Sequence, residues 1–226
     1  MIAMCGRFTL HQDTRDVAKS IGAIELSVVT PFSPSYNIAP SQEVPVILNQ
    51  GLDFRNQENL HMRLMTWGLR PAWSSGGNQN PINARSETVS EKPMFSRAYE
   101  KRRCVIPANG WFEWSIDRAQ KTPWYHKKVE DQTIFFAGIW ESWANESGER
   151  AETFAILTKE SQEDISHIHN RMPVILDSGD IDDWLNGQDL QKMVKPINLE
   201  AYPVSKEVNS VKSSGSRLVQ KIPTLF

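Results

Sequence analysis

Along the chain, apolar positions fall mostly in short runs bounded by polar or proline-containing stretches, and only a few segments hold a helical period. His11–Ile24 is one of these, with Val17, Ala18 and Ile21 on one face, and it predicts a helix after a short extended start, Cys5–Leu10. Thr30–Pro40, with three prolines and two serines, predicts loop. Val44–Leu48 and Leu60–Trp67 predict strands separated by the polar turn Asn49–Asn59, the second losing strict alternation near its end. Ser74–Asn80 is a polar, glycine-containing loop. Arg97–Arg103 forms a charged helical end leading into Cys104–Ile106, and further strands are expected at Trp111–Ser115, Trp124–Val129, Thr133–Glu141 and Thr153–Thr158. Glu160–Ile168 reads as helix, Pro173–Leu176 as a short strand, Ile181–Leu185 and Leu190–Val194 as short helices, and Glu200–Val204 as extended.

Many short strands with a few peripheral helices predict an α+β fold with a mainly antiparallel, barrel-like β-sheet core. No internal repeat and no linker is visible, so residues 1–226 are expected to form one domain, which suits a chain of this length. The composition, 39% hydrophobic and 23% charged, is that of an ordinary globular protein. No apolar stretch approaches the ~20 residues of a membrane span, and the N-terminus lacks the basic-then-apolar order of a secretory signal. Two cysteines, Cys5 and Cys104, make no disulfide framework. The reading is cytoplasmic, nucleoid-associated in a bacterium. No metal-ligand spacing and no phosphate-binding glycine loop is found, so neither a metal nor a nucleotide cofactor is expected. The net charge of −2 supplies no global attraction to nucleic acid, though a local basic cleft remains compatible with it.

Four stretches place reactive groups in apolar surroundings: Cys5-Gly6-Arg7-Phe8, Asn83-Ala84-Arg85-Ser86-Glu87-Thr88, Gly110-Trp111-Phe112-Glu113-Trp114 and Ile168-His169-Asn170-Arg171-Met172-Pro173. Singly, each admits a structural explanation. Jointly they supply a thiol, a carboxylate, an imidazole, a carboxamide and arginines, the inventory of a nucleophilic site.

With Tyr36-Asn37-Ile38-Ala39-Pro40, Trp67-Gly68-Leu69 followed by Pro71 and Trp73, Arg103-Cys104, and Pro203-Val204-Ser205, these stretches resemble the SRAP (SOS response-associated peptidase) family over nearly the whole chain. The family shields abasic sites in single-stranded DNA by covalent attachment. The resemblance implies that Cys5, with its α-amine free, traps the open-chain aldehyde as a thiazolidine. It implies that Glu113 and His169 act as acid/base groups and that Asn83 orients Cys5 and the sugar. Arg85 and Arg171 would grip phosphates; Arg7 would add a phosphate contact or form a structural ion pair. Trp67 and Trp73 would stack on bases or pack, Asn37 would wall the site, and Cys104 would be a buried structural thiol. An aromatic surround of Trp111, Phe112 and Trp114 would raise the Glu113 pKa if that side chain faces the cleft. A monomer suits such a role.

The family has Met directly before the Cys, whereas Met1-Ile2-Ala3 precede Met4 here. Either translation starts at Met4 with methionine removed, or residues 1–4 are cleaved by the protein itself. Two other classes stay open at this level. One is a cysteine peptidase or amidase using Cys5 and His169; the other is a noncovalent single-stranded DNA-binding module.

Overall fold

The structure is a computed structural model, and it describes residues 5–21, 32–49, 60–74, 80–118, 120–130, 132–144, 148 and 150–223. Thirteen strands and three α-helices are present among these residues. Strands β1 (Phe8–Leu10), β2 (Ser35–Ile38), β7 (Gly110–Asp117), β8 (Gln120–Lys128) and β13 (Leu199–Pro203) form one antiparallel sheet in the order β13-β8-β7-β1-β2. The second sheet holds β3 (Glu43–Asn49), β4 (Leu60–Trp67), β5 (Asn83–Arg85), β6 (Arg103–Ala108), β9 (Ile134–Ala144), β10 (Arg150–Glu160), β11 (Arg171–Pro173) and β12 (Ile175–Leu176). In it, β10 runs parallel to β4 and β5 and antiparallel to β9 and β11. The class is α+β, as expected. The second sheet curls in a barrel-like way without continuous closure: β3 meets β6 at the single pair Ile47↔Val105, and β4 meets β10 only at Thr66↔Thr153 and Trp67↔Phe154.

Helix α1 (Thr14–Ser20) starts where the Asp13 carboxylate accepts the Arg15 amide, satisfying one of the first-turn donors that a helix leaves open. Val17, Ala18 and Ile21 turn its apolar stripe inward. The rest of the helix expected to Ile24 lies outside the described residues, as does nearly all of the turn Asn49–Asn59. Helices α2 (Ser96–Lys101) and α3 (Ile181–Leu185) lie against β6. Trp184 on α3 is fully buried, and its indole N–H donates to the Cys104 carbonyl. The Cys104 thiol is buried and free, the structural role expected of it.

The face between the two sheets carries the main core. Period-two alternation along β7 sends Trp111 and Glu113 toward it, while Phe112 and Trp114 point to the opposite face, where they pack with Tyr125, Tyr202, Val204 and Val208. Gly110 is required at the head of β7, because a Cβ there would run into the His126 carbonyl and the Tyr125 ring of β8.

Three elements differ from those the pattern predicts. Within Thr30–Pro40, Ser35–Ile38 is a strand, since its backbone completes the edge of β1 despite the flanking prolines. The three-residue strand β5 is too short to show a period. Glu160–Ile168 is not helical: β10 continues through Glu160, and the chain must reverse within ten residues so that Arg171 can pair with Glu160. The Ser161 amide bonded to the Asn170 carbonyl closes that loop. Tertiary closure overrides local propensity there.

Candidate active site

The site is built by the register of β1 against β7. Phe8 pairs with Trp111 and Thr9 with Gly110, and the Phe112 amide donates to the Arg7 carbonyl. Continued two residues toward the N-terminus, this register sets Gly6 opposite Glu113 and leaves Cys5 next to that carboxylate. The backbone of Cys5 turns into the left-handed region, at φ 44°, which costs a residue with a Cβ about 1–2 kcal/mol. The turn aims both of its reactive atoms at one oxygen. The Cys5 nitrogen and the Cys5 Sγ each donate to Glu113 Oε1 at 2.8 Å. Both residues are buried, at 2% exposure each.

Burial dominates the electrostatics. Removal from water pushes the Glu113 carboxyl up to about 7, against a smaller opposite pull from the two Cys5 hydrogen bonds. Burial and the neighbouring carboxylate hold the Cys5 thiol well above its ordinary range, with Arg171 pulling it partly back. The resting thiol is therefore protonated and donates to Glu113. The source of the desolvation differs in part from the expected aromatic surround: only Trp111 shares the Glu113 face. The other aromatic neighbours come from β8, where Trp124 pairs with Glu113 and His126 pairs with Trp111. His126 stacks on Trp111 at 4.8 Å, and burial holds its pKa down to about 3, so it is neutral.

These shifts make a stability prediction. A carboxyl whose folded pKa lies above its unfolded value stabilises the fold fully below about pH 4.5, and that contribution is lost as pH rises through about 7. Glu113→Gln should remove this dependence and raise stability relative to wild type above pH 7, on the order of 3 kcal/mol at most. Urea melts across that pH range check it; parallel curves for the two proteins would refute it.

The loop that replaces the expected helix carries His169, half-buried. Its Nδ1 lies 3.1 Å from the Arg171 amide nitrogen and 3.2 Å from the Arg171 carbonyl oxygen. The amide is an obligate donor, so Nδ1 accepts from it and Nε2 is the ring nitrogen left to carry a proton. Arg171 is buried beneath the loop. Its guanidinium makes a bidentate pair with Glu87 at 2.6 and 2.9 Å and donates to the Thr158 carbonyl at 2.6 Å. Asn83 and Arg85 stand on β5 beside β10, opposite Ile156 and Thr158, and Arg85 is exposed. Cys5 and Glu113 thus touch, with Arg171 close enough to act on the thiol, and Asn83, Arg85 and His169 lie on the strand and loop that adjoin Arg171.

Other expected residues are placed differently. Trp67 is fully buried, stacks on Phe154 and donates its indole N–H to the Ile82 carbonyl, so it packs and offers no face to a base. Arg7 and Asn37 are buried against each other: Arg7 donates to Asn37 Oδ1 at 2.6 Å and to the Val208 carbonyl at 2.7 Å. Asn37 Nδ2 donates to the carbonyls of Ser210 and Ser213. These two side chains tie the C-terminal segment to β1 and β2, which leaves Arg7 engaged within the protein instead of open to phosphate. Trp73 is 68% exposed, on a loop tied to the entry of β5 by the Leu69 amide and the Pro81 carbonyl. Among the described residues, no group of His, Cys, Asp and Glu is arranged to hold a metal ion, and no helix is long and apolar enough to cross a membrane.

The fold is a two-sheet α+β architecture that sets the cysteine of the Cys-Gly-Arg-Phe motif in hydrogen-bond contact with a buried carboxylate. A family model described as SOS response associated peptidase (SRAP) matches residues 4–211, and the chain belongs to that family. It is 36% identical to the abasic site processing protein YoqW of Bacillus subtilis, over 96% of this chain and 99% of that one. It is 31% identical to the abasic site processing protein YedK of Escherichia coli, over 97% and 100%. A crystal structure of a protein from Bacteroides thetaiotaomicron superposes with a TM-score of 0.82 at 25% identity, covering 97% of this chain and all of that one.

Proposed function

We propose that this protein processes abasic sites, attaching itself to single-stranded DNA through the amine and thiol of Cys5. The observation that carries the reading is that one carboxylate oxygen receives both the nitrogen and the sulfur of Cys5 at 2.8 Å. Relatives in bacteria and eukaryotes that bear the name abasic site processing protein support its first part, the processing of abasic sites.

An abasic sugar in its open-chain form presents an aldehyde at C1′. The Cys5 amine adds to that carbon, water leaves to give an imine, and the thiol adds to the same carbon to close a five-membered thiazolidine. One water is released per adduct and no redox partner is needed. Glu113 takes the proton as each nucleophile adds and returns one to the departing hydroxyl; a pKa of about 7 suits both directions near neutrality. His169, with Nε2–H as a donor, hydrogen-bonds the sugar oxygen freed on ring opening, while the proton that oxygen gains is the one the C1′ hydroxyl gives up through Glu113 or water. Asn83 orients the sugar, Arg85 contacts a flanking phosphate, and exposed Trp73 stacks on a base. The chemistry requires Cys5 to be the first residue, so residues 1–4 are absent from the active protein, through initiation at Met4 with that methionine then removed, or through self-cleavage. The same tautomer makes His169 a poor base toward the thiol, which weighs against the peptidase reading.

The test is a denaturing gel after incubation with a single strand containing an abasic site and with the intact strand. A covalent band is expected only with the abasic strand; its absence refutes the proposal.

Arg171 reaches a phosphate in this scheme only by exchanging its Glu87 partner, whose own carboxyl the guanidinium holds below its usual range. Glu87→Gln should therefore tighten single-strand binding several-fold at low salt and steepen the salt dependence by about 0.7 in log–log slope, one added phosphate contact. An unchanged slope in a fluorescence titration would mean that Arg171 stays within the protein.

A further inference from the structure

Trp124 is used by none of the steps above, yet it is the cross-strand neighbour of Glu113. Directly opposed residues on an antiparallel pair share one face with their Cβ atoms about 5 Å apart. The ring is half-buried, and its indole N–H donates to Ser115 Oγ at 3.0 Å, which fixes its orientation without a partner from outside. The exposed His167, from the same loop as His169, meets this ring edge-on, with centroids 5.8 Å apart and planes at 90°. Two aromatic side chains, from β8 and from the loop after β10, thus form a rigid corner beside the reacting carboxylate.

Resting on the abasic-site reading, we infer that the Trp124–His167 corner receives the nucleobase next to the lesion. An abasic sugar held at Cys5 and Glu113 has no base of its own to stack, so its position along the strand is set by its neighbours. One nucleotide step is about 3.4 Å in a stacked strand and longer in an extended one, the same scale as the Glu113-to-Trp124 spacing. Any base presents a π-face, so a fixed indole grips the neighbour with little regard to sequence and sets the C1′ aldehyde against Cys5. Trp124 is in this sense a positioning residue, and Trp73, on the other sheet's loop, serves a separate stretch of the strand.

The test measures single-turnover crosslinking at subsaturating protein. The strands carry one abasic site flanked on either side by adenine, or on one side by an unreactive tetrahydrofuran residue that has no base. Wild type should crosslink about 10-fold more slowly when the base is missing on one particular side. Trp124→Ala should show the slow rate on every strand and lose the side preference, Trp124→Phe should keep it, and His167→Ala should weaken it. Equal wild-type rates on all abasic strands would overturn the inference while leaving the proposed function intact. So would a Trp124→Ala protein that keeps the wild-type preference. A wild-type protein that crosslinks none of the strands would overturn both. Should Trp124→Ala fold poorly, the flank comparison on wild type and Trp124→Phe decides the matter alone.

Discussion

A protein carrying even one residue ahead of Cys5 is expected to form no covalent adduct with an abasic strand, although its thiol is unchanged. An acylated nitrogen holds its lone pair in the amide and cannot add to an aldehyde. A lone thiol gives a hemithioacetal, which reverts on denaturation. Cys5→Ala with a free N-terminus divides the reaction the other way. It should give an imine that borohydride traps, and no band that survives denaturation without reductant. The extended protein should give neither band. The structure frames this experiment, because Glu113 Oε1 receives nitrogen and sulfur at the same 2.8 Å, so neither substitution disturbs the other atom's partner. Intact-mass analysis of the active protein should find the chain beginning at Cys5. Full adduct yield from protein that retains Met4 would remove the amine from the mechanism.

The division between what the sequence discloses and what it hides follows from distance along the chain. The Cys-Gly-Arg-Phe and Gly-Trp-Phe-Glu-Trp motifs were legible because each is a contiguous run with its reactive group embedded. Their meeting depends on the pairing of β1 with β7, which brings Cys5 and Glu113 into contact across 108 positions and which no local period encodes. Strand periodicity does predict that Trp111 and Glu113 share a face and that Phe112 and Trp114 do not. The flanking aromatics, adjacent in sequence, therefore sort onto two faces, and Trp124 and His126 join from a neighbouring strand. Glu87 illustrates the same limit. It lies within the stretch Asn83–Thr88, but the partner that absorbs it, Arg171, is 84 residues away. Trp67 looks available because alternation fails near it, whereas the fold buries it completely at the contact between β4 and β10. Arg7 and Asn37 are buried in binding the C-terminal segment, a role that only tertiary structure assigns.

The second large effect is expected at Glu113 itself. Glu113→Gln keeps the volume and the hydrogen-bonding acceptor toward Cys5, but it can neither accept nor return a proton. Loss of a positioned acid/base group costs typically 10²–10⁴-fold, and single-turnover crosslinking should slow by about that much. The pH profile separates this role from mere structure. In the wild type, the carboxyl at about 7 is protonated in acid and takes up no proton from the Cys5 amine; the rate should therefore rise as pH increases through 7. A second rise belongs to the α-amine, whose ordinary pKa is about 7.7–8.0. In Glu113→Gln the first rise should vanish and the second remain, on a lower baseline. Glu113→Asp retains the charge but withdraws the carboxylate by one methylene, so it should restore the first rise while leaving the rate depressed. A Gln protein that keeps the wild-type rate and both rises would show that water, not Glu113, carries the proton. The carboxylate would then serve only to hold Cys5 in its strained turn, and its pKa near neutrality would have no part in the chemistry.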